Sequence, residues 1–259
     1  MSGVSATVTE QDSAIARGLV YTFLTRAFAY PSPEHVEALR HQLGPVIVGL
    51  MTGDATLDGL LAEVVRALEQ PLEALRAAHA LVFTHIEPPD YPPYESAYST
   101  TDIFLQADTM ADVSAFYRAH GLQVGGTERE RPDHIATELE FMGSMALKEA
   151  YAVEHLSPDH VEECRRTQRH FLRDHLGCWA GGFGRRLEAL AEGELYRTLG
   201  AALARWIEAD LAYLGVEAVA VFDEPHLPGE MDDGACGLDG ACFETTRDVP
   251  VALGPRRER

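Results

Sequence analysis

Apolar residues recur along most of this chain at intervals of three and four, the spacing that gathers them on one face of a helix. Between 13 and 30 the stripe is Ile15, Leu19, Phe23, Ala27 and Tyr30, with Ser13 or Asp12 placed to cap its start and Pro31 to close its end. Pro33 is placed to open a second helix through about His41, with Gly44-Pro45 as its break, and 56–69 and 71–85 supply two more. Four prolines then crowd into 87–100 (EPPDYPPYESAYST), which predicts an extended loop. Helical spacing resumes at 108–120, stops at Gly121, and returns from Asp133 to about 154 with Ile135, Leu139, Met142 and Ala146 on the inner face. A helix over 158–176 ends at Gly177. After glycines at 181, 182 and 184, residues 185–214 predict one or two helices that stop at Gly215. No stretch combines strand alternation with hairpin turns. The expected fold is all-α, a single helical-bundle domain over 1–222 with roughly eight to ten helices. From 223 to 259 periodicity gives way to glycine, proline and acids, which predicts an irregular C-terminal tail.

Charge narrows the partners. Of 259 residues, 41 are acidic and 21 basic, a formal net charge of −20. A chain this acidic lacks the cationic face that displaces counterions from nucleic acid, and an anionic membrane surface is disfavoured for the same reason. A cationic partner is permitted, although acidity also serves solubility alone. Within 223–248, eight acids face only Arg247. No window approaches 18 consecutive apolar residues, so no membrane span is expected, and the N-terminus lacks a basic start followed by an apolar stretch. Four cysteines do not make a disulfide framework. These signals predict a soluble, cytoplasmic protein.

Candidate chemistry is sparse. No histidine has Glu three residues before it, the di-metal bundle spacing, and there is no His-Glu-x-x-His. His134 and Glu138 do stand one turn apart. Cys236 and Cys242 are wider apart than structural zinc pairs usually are. Phosphate-binding loops and serine nucleophile elbows are missing, so no familiar enzyme is indicated. A helical metal-binding enzyme using His and Glu ligands, or a general peptide-binding adaptor, are the rival classes.

Two segments stand apart. Tyr91-Pro92-Pro93-Tyr94-Glu95-Ser96-Ala97-Tyr98 joins a stiff backbone to broad tyrosine rings, suited either to gripping a peptide or to packing on helices. In Arg131-Pro132-Asp133-His134-Ile135-Ala136-Thr137-Glu138-Leu139-Glu140-Phe141-Met142, Asp133 is placed to cap the helix, and His134 sits where Glu138 could hold it as an imidazolium or as a donor.

With the opening helix running into Ala29-Tyr30-Pro31, and with Trp179, Phe183 and the later 195–214 pattern, these segments resemble the TorD/DmsD/NarJ family of chaperones for molybdenum-containing redox enzymes. The resemblance spans about 13–215; Arg131 departs from the glutamate usual before Pro-Asp-His. It implies an all-helical, non-enzymatic protein of the TorD-like type, monomer or homodimer. Its implied partner is the catalytic subunit of a molybdenum-cofactor oxidoreductase, held through its twin-arginine signal peptide or in its apo form until cofactor insertion is complete. The implied client-binding residues are Pro93, Tyr94, Ser96 and Tyr98, then Pro132, Asp133 and His134, with Tyr91 and Glu138 beside them. No catalytic residue, metal or cofactor is implied; weak guanine-nucleotide binding follows from the resemblance only.

Overall fold

The computed structural model describes residues 9–83, 90–100, 102–125 and 130–226. They belong to one compact unit, Met1–Pro228; Gly229–Arg259 form a second unit, outside the described residues. Cys236 and Cys242, and most of the acids assigned to the tail, lie there.

The first unit is all-α. Its helices are α1 (Glu10–Phe28), α2 (Pro33–Ala38), α3 (Gly44–Gly49), α4 (Ala55–Ala67), α5 (Leu72–Phe83), the single turn α6 (Ser96–Ser99), α7 (Ile103–Ala119), α8 (Ile135–His155), α9 (Pro158–Phe171), α10 (Gly177–Leu190) and α11 (Glu194–Leu214). Among the described residues the only β pairing is an isolated bridge between Tyr94 and His134.

Several boundaries differ from expectation, each for a local reason. Thr9, not Ser13 or Asp12, caps α1: its hydroxyl accepts from the Asp12 N–H while the Asp12 carboxylate accepts from the Thr9 N–H. The α1 stripe is also rotated. Phe23 and Ala27 are buried, but Ile15 and Tyr30 are exposed, because Tyr21, Leu24 and Phe28 carry the face that meets the core. Gly44-Pro45 does not break the chain. A wide π turn over Leu39–Leu43 joins α2 to α3, and Pro45, with no N–H to donate, falls in the first turn after it. A second π turn, Leu172–Leu176, carries α9 into α10 past Gly177. Ile135, Leu139, Met142 and Ala146 are fully buried, as their spacing predicts.

The glycine-bearing stretch 181–184 lies inside α10 instead of interrupting it, because close packing needs it. α10 and α11, like α1 and α8, pack extensively. A Cβ on Gly184 would sit 2.6 Å from the Gly200 carbonyl oxygen, and one on Gly200 would sit 2.5 Å from that of Gly184. The two backbones touch where neither has a side chain. Gly200→Ala is therefore expected to cost about 1–3 kcal/mol by forcing the helices apart. Thermal unfolding followed by circular dichroism measures it, and an unchanged midpoint would show that the contact is dispensable.

After α11 the chain turns back over α10. Val219 N–H donates to the Arg173 carbonyl at 2.9 Å, Phe222 N–H to that of Cys178 at 2.8 Å and His226 N–H to that of Ala97 at 2.8 Å. Gly182 lets it lie this close, since a Cβ there would strike the Phe222 carbonyl oxygen. Asp223 pairs with Arg185 and Glu224 with Arg186, so these two acids lie against the helical unit.

Candidate functional site

The two segments singled out by sequence meet. Pro92 and Pro93 deny the chain a helix and hold it extended into Tyr94, where it runs antiparallel to the residues entering α8. Glu95 N–H donates to the Asp133 carbonyl and Ile135 N–H to that of Pro93, both at 2.9 Å. Asp133 locks this junction. Its buried carboxylate accepts from Arg131 Nε at 2.9 Å, Arg131 Nη2 at 2.8 Å and the Ser96 N–H at 3.2 Å. Arg131 Nη2 also donates to the Ser96 hydroxyl at 2.7 Å, and its guanidinium lies 4.3 Å from the centre of the Tyr94 ring. The residue that departs from the family pattern is thus bound into the junction.

The capping role falls one residue later than expected. His134, not Asp133, is the N-cap of α8: its Nδ1 accepts from the Ala136 N–H at 3.2 Å. An accepting Nδ1 is unprotonated, and burial depresses the imidazole to a pKa of about 4, with Asp133 opposing the shift. His134 is therefore neutral here and is not an imidazolium held by Glu138. Its ring meets Tyr94 edge-on at 5.4 Å.

Glu138 faces inward instead, fully buried, accepting from Trp179 Nε1 at 3.1 Å. Burial, then the neighbouring charge of Glu95, raises its pKa well above the carboxylate range. Its other oxygen, Oε1, is buried without a hydrogen-bond partner, beside the like charge of Glu95. Glu95 in turn accepts from His175 Nδ1 at 3.0 Å, and Asp112 lies 3.6 Å from His175 Nε2. Burial raises Glu95, against the pull of His175; burial opposes protonation of His175, but its bond to Glu95 prevails and raises it. Glu138, Glu95 and His175 thus lie buried beneath the junction, with the exposed Asp112 at their edge. Through Glu95 and His175 they tie the first loop to the turn that leads into α10.

Of the expected binding residues, Tyr91, Pro93, Ser96, Tyr98, Asp133, His134 and Glu138 are buried, while Tyr94 and Pro132 are half-buried. All but Tyr91 join this cluster. Tyr91 lies near the carboxylates of Glu192 and Asp90, which together with burial raise its phenol. Tyr98 stacks against Trp179 at 5.4 Å. Sequence reasoning passed over Glu95, although it lies inside the quoted segment, and His175, whose partner is 80 residues away.

Among the described residues no group of three or more His, Cys, Asp or Glu side chains could hold a metal ion, and no helix is long and apolar enough to cross a membrane. Cys164 and Cys178 are free thiols.

Comparison with known proteins agrees with the resemblance. Residues 50–185 match the family model described as nitrate reductase delta subunit. The selenate reductase assembly chaperone protein of Thauera selenatis is 38% identical over 109 residues, 42% of this chain and 54% of the relative. The chlorate reductase assembly chaperone protein of Ideonella dechloratans is 31% identical over 47% of this chain and 58% of its own length. Chaperone protein TorD of a Psychrobacter species is 31% identical over 174 residues, 67% of this chain and 73% of that protein. The chain thus spans about half the length of the first two relatives and nearly three quarters of the third. A model match over more than half of the chain, together with the long alignment to TorD, places it in the nitrate reductase delta subunit family of TorD-like redox enzyme maturation chaperones.

Proposed function

We propose that the protein is a non-enzymatic cytoplasmic chaperone for the catalytic subunit of a molybdenum-cofactor oxidoreductase. It holds that subunit through its twin-arginine signal peptide, or in its apo form, until the cofactor is inserted and the subunit is released for assembly or export. The junction of the two loop segments carries this reading. The residues behind the resemblance form one braced structure with Tyr94, Arg131 and Pro132 towards its surface, and its ionisable groups serve packing, not a reacting substrate. Relatives named for selenate and chlorate reductase assembly support the class of client. The acidic surface supports a basic peptide as the handle, since carboxylates take guanidinium in pairs of hydrogen bonds.

Calorimetric titration of the full chain tests it. A peptide with paired arginines followed by an apolar stretch is expected to bind at least about tenfold more tightly than the same peptide with both arginines changed to glutamine. Equal affinities would remove arginine recognition, and absence of binding to either would remove the signal peptide as the handle. Co-purification from the native host names the client.

A further inference from the structure

The loop junction is built as a receptor for a guanidinium, and the chain fills it with its own Arg131. Nε and Nη2 meet the two carboxylate oxygens of Asp133 at 2.9 and 2.8 Å, a side-on fork that an ammonium cannot reproduce. Nη2 also reaches the Ser96 hydroxyl at 2.7 Å, and the guanidinium carbon lies 4.3 Å from the centre of the Tyr94 ring. A carboxylate fork, a hydroxyl and an aromatic face thus converge on one group.

Receptor and occupant differ in depth. The Asp133 side chain is fully buried, whereas that of Arg131 is 42% exposed. Nη1 donates to nothing among the described residues. The Arg131 main chain is held separately, its carbonyl accepting from the His134 N–H at 3.2 Å and from Thr137 Oγ1 at 3.1 Å. The side chain can therefore swing outward while the junction keeps its backbone. With Arg131 withdrawn, Asp133 retains only the Ser96 N–H at 3.2 Å. A buried carboxylate in that state is costly, so Arg131 leaves only in exchange for another cation. The fork and the ring select a guanidinium as that cation.

We propose that Arg131 is a resident competitor for the client's arginine, occupying the seat formed by Asp133, Ser96 and Tyr94 until a client displaces it. The proposal rests on the function given above and adds to it a residue that works against binding. Arg131 is tethered two residues from Asp133, so it competes at a high effective concentration. A lone arginine cannot match that; a peptide wins only through further contacts outside the seat. Arg131 thereby sets the threshold that a client must pass.

Chemical rescue tests the seat, and peptide binding tests the competition. Arg131→Ala removes what ethylguanidinium can replace. Millimolar ethylguanidinium chloride is expected to raise the melting temperature of this variant but not of the wild type, and ethylammonium chloride to raise neither. Adding Asp133→Asn should abolish the rescue. In fluorescence anisotropy, a labelled paired-arginine peptide is expected to bind Arg131→Ala about tenfold more tightly than the wild type. A merely structural Arg131 gives the opposite sign. If ethylguanidinium does not stabilise Arg131→Ala, there is no seat and the inference fails. If it does, but the variant gains no peptide affinity, the competitor role fails. The function then stands where the wild type prefers paired arginines over glutamines, and falls where it does not. Should Arg131→Ala not fold, Arg131→Gln carries the peptide measurement, with the same expected gain and the same overturning result.

Discussion

An Arg17→Ala variant is expected to lose about 3–5 kcal/mol of stability, which for a body of this size lowers the melting temperature by roughly 10 °C. Arg17 is only 5% exposed, and its guanidinium binds Asp210 through Nε and Nη2 while Nη1 reaches Glu149 at 3.3 Å. Both carboxylates are buried. Without the arginine, Glu149 keeps Arg165 at 2.6 Å and Gln168 at 2.8 Å, but Asp210 keeps only the Tyr21 hydroxyl at 2.6 Å. A buried carboxylate left with one neutral donor is the costly outcome, more so than the loss of the pair itself. The pair also joins α1 to α11, and Glu149 joins both to α8 and α9, so the loss falls on the centre of the bundle. Asp210→Asn in the same background should recover part of the deficit, because it removes the stranded charge. Denaturant unfolding of the single and double variants reads both numbers. A single-variant loss under about 1 kcal/mol would mean that water reaches Asp210.

None of that network was legible in the sequence. Arg17, Glu149 and Asp210 lie on helical stripes where a charged residue reads as solvated, and only tertiary packing turns them inward. What periodicity does encode is the face of a helix, and it did so best for α8, where Ile135, Leu139, Met142 and Ala146 are all buried. It encodes breaks less well, because glycine serves two ends. At 181–184 the same residues that permit a turn permit backbone contact, and Gly184 against Gly200 shows which applies. The meeting of Tyr94 with His134 left no periodic trace; it followed from neither spacing nor composition, and the resemblance supplied only the two segments. Their burial was likewise hidden. Tyrosine, histidine and acid in a proline-rich loop read as surface groups until the partner loop is known.

Acidification is expected to unfasten the α8 cap, and His134→Asn is expected to prevent it. The folded pKa of His134 is about 4 against an ordinary 6.5. A depressed value means that the neutral ring stabilises the fold fully above 6.5, and that this contribution is lost as pH falls towards 4; the size of the shift makes it about 3 kcal/mol. The groups facing His134 are Asp133, Arg131, Tyr94, Phe83 and His79, and burial depresses His79 to about 4 as well. Glu95, Glu138 and His175 run the other way: their raised values stabilise at low pH and lose that contribution as pH rises above the ordinary carboxylate and imidazole ranges. The wild-type profile is therefore a sum of opposed slopes, and only its difference from the variant isolates the cap. Asparagine can accept from the Ala136 N–H with its side-chain oxygen and does not titrate. At pH 7.5 the two proteins should agree within about 1 kcal/mol, and by pH 4 the variant should lead. Parallel profiles in urea unfolding between pH 7.5 and 4 would mean that the imidazole takes up its proton without leaving the cap. That outcome is incompatible with Nδ1 as acceptor, since a protonated Nδ1 has no lone pair to offer the helix.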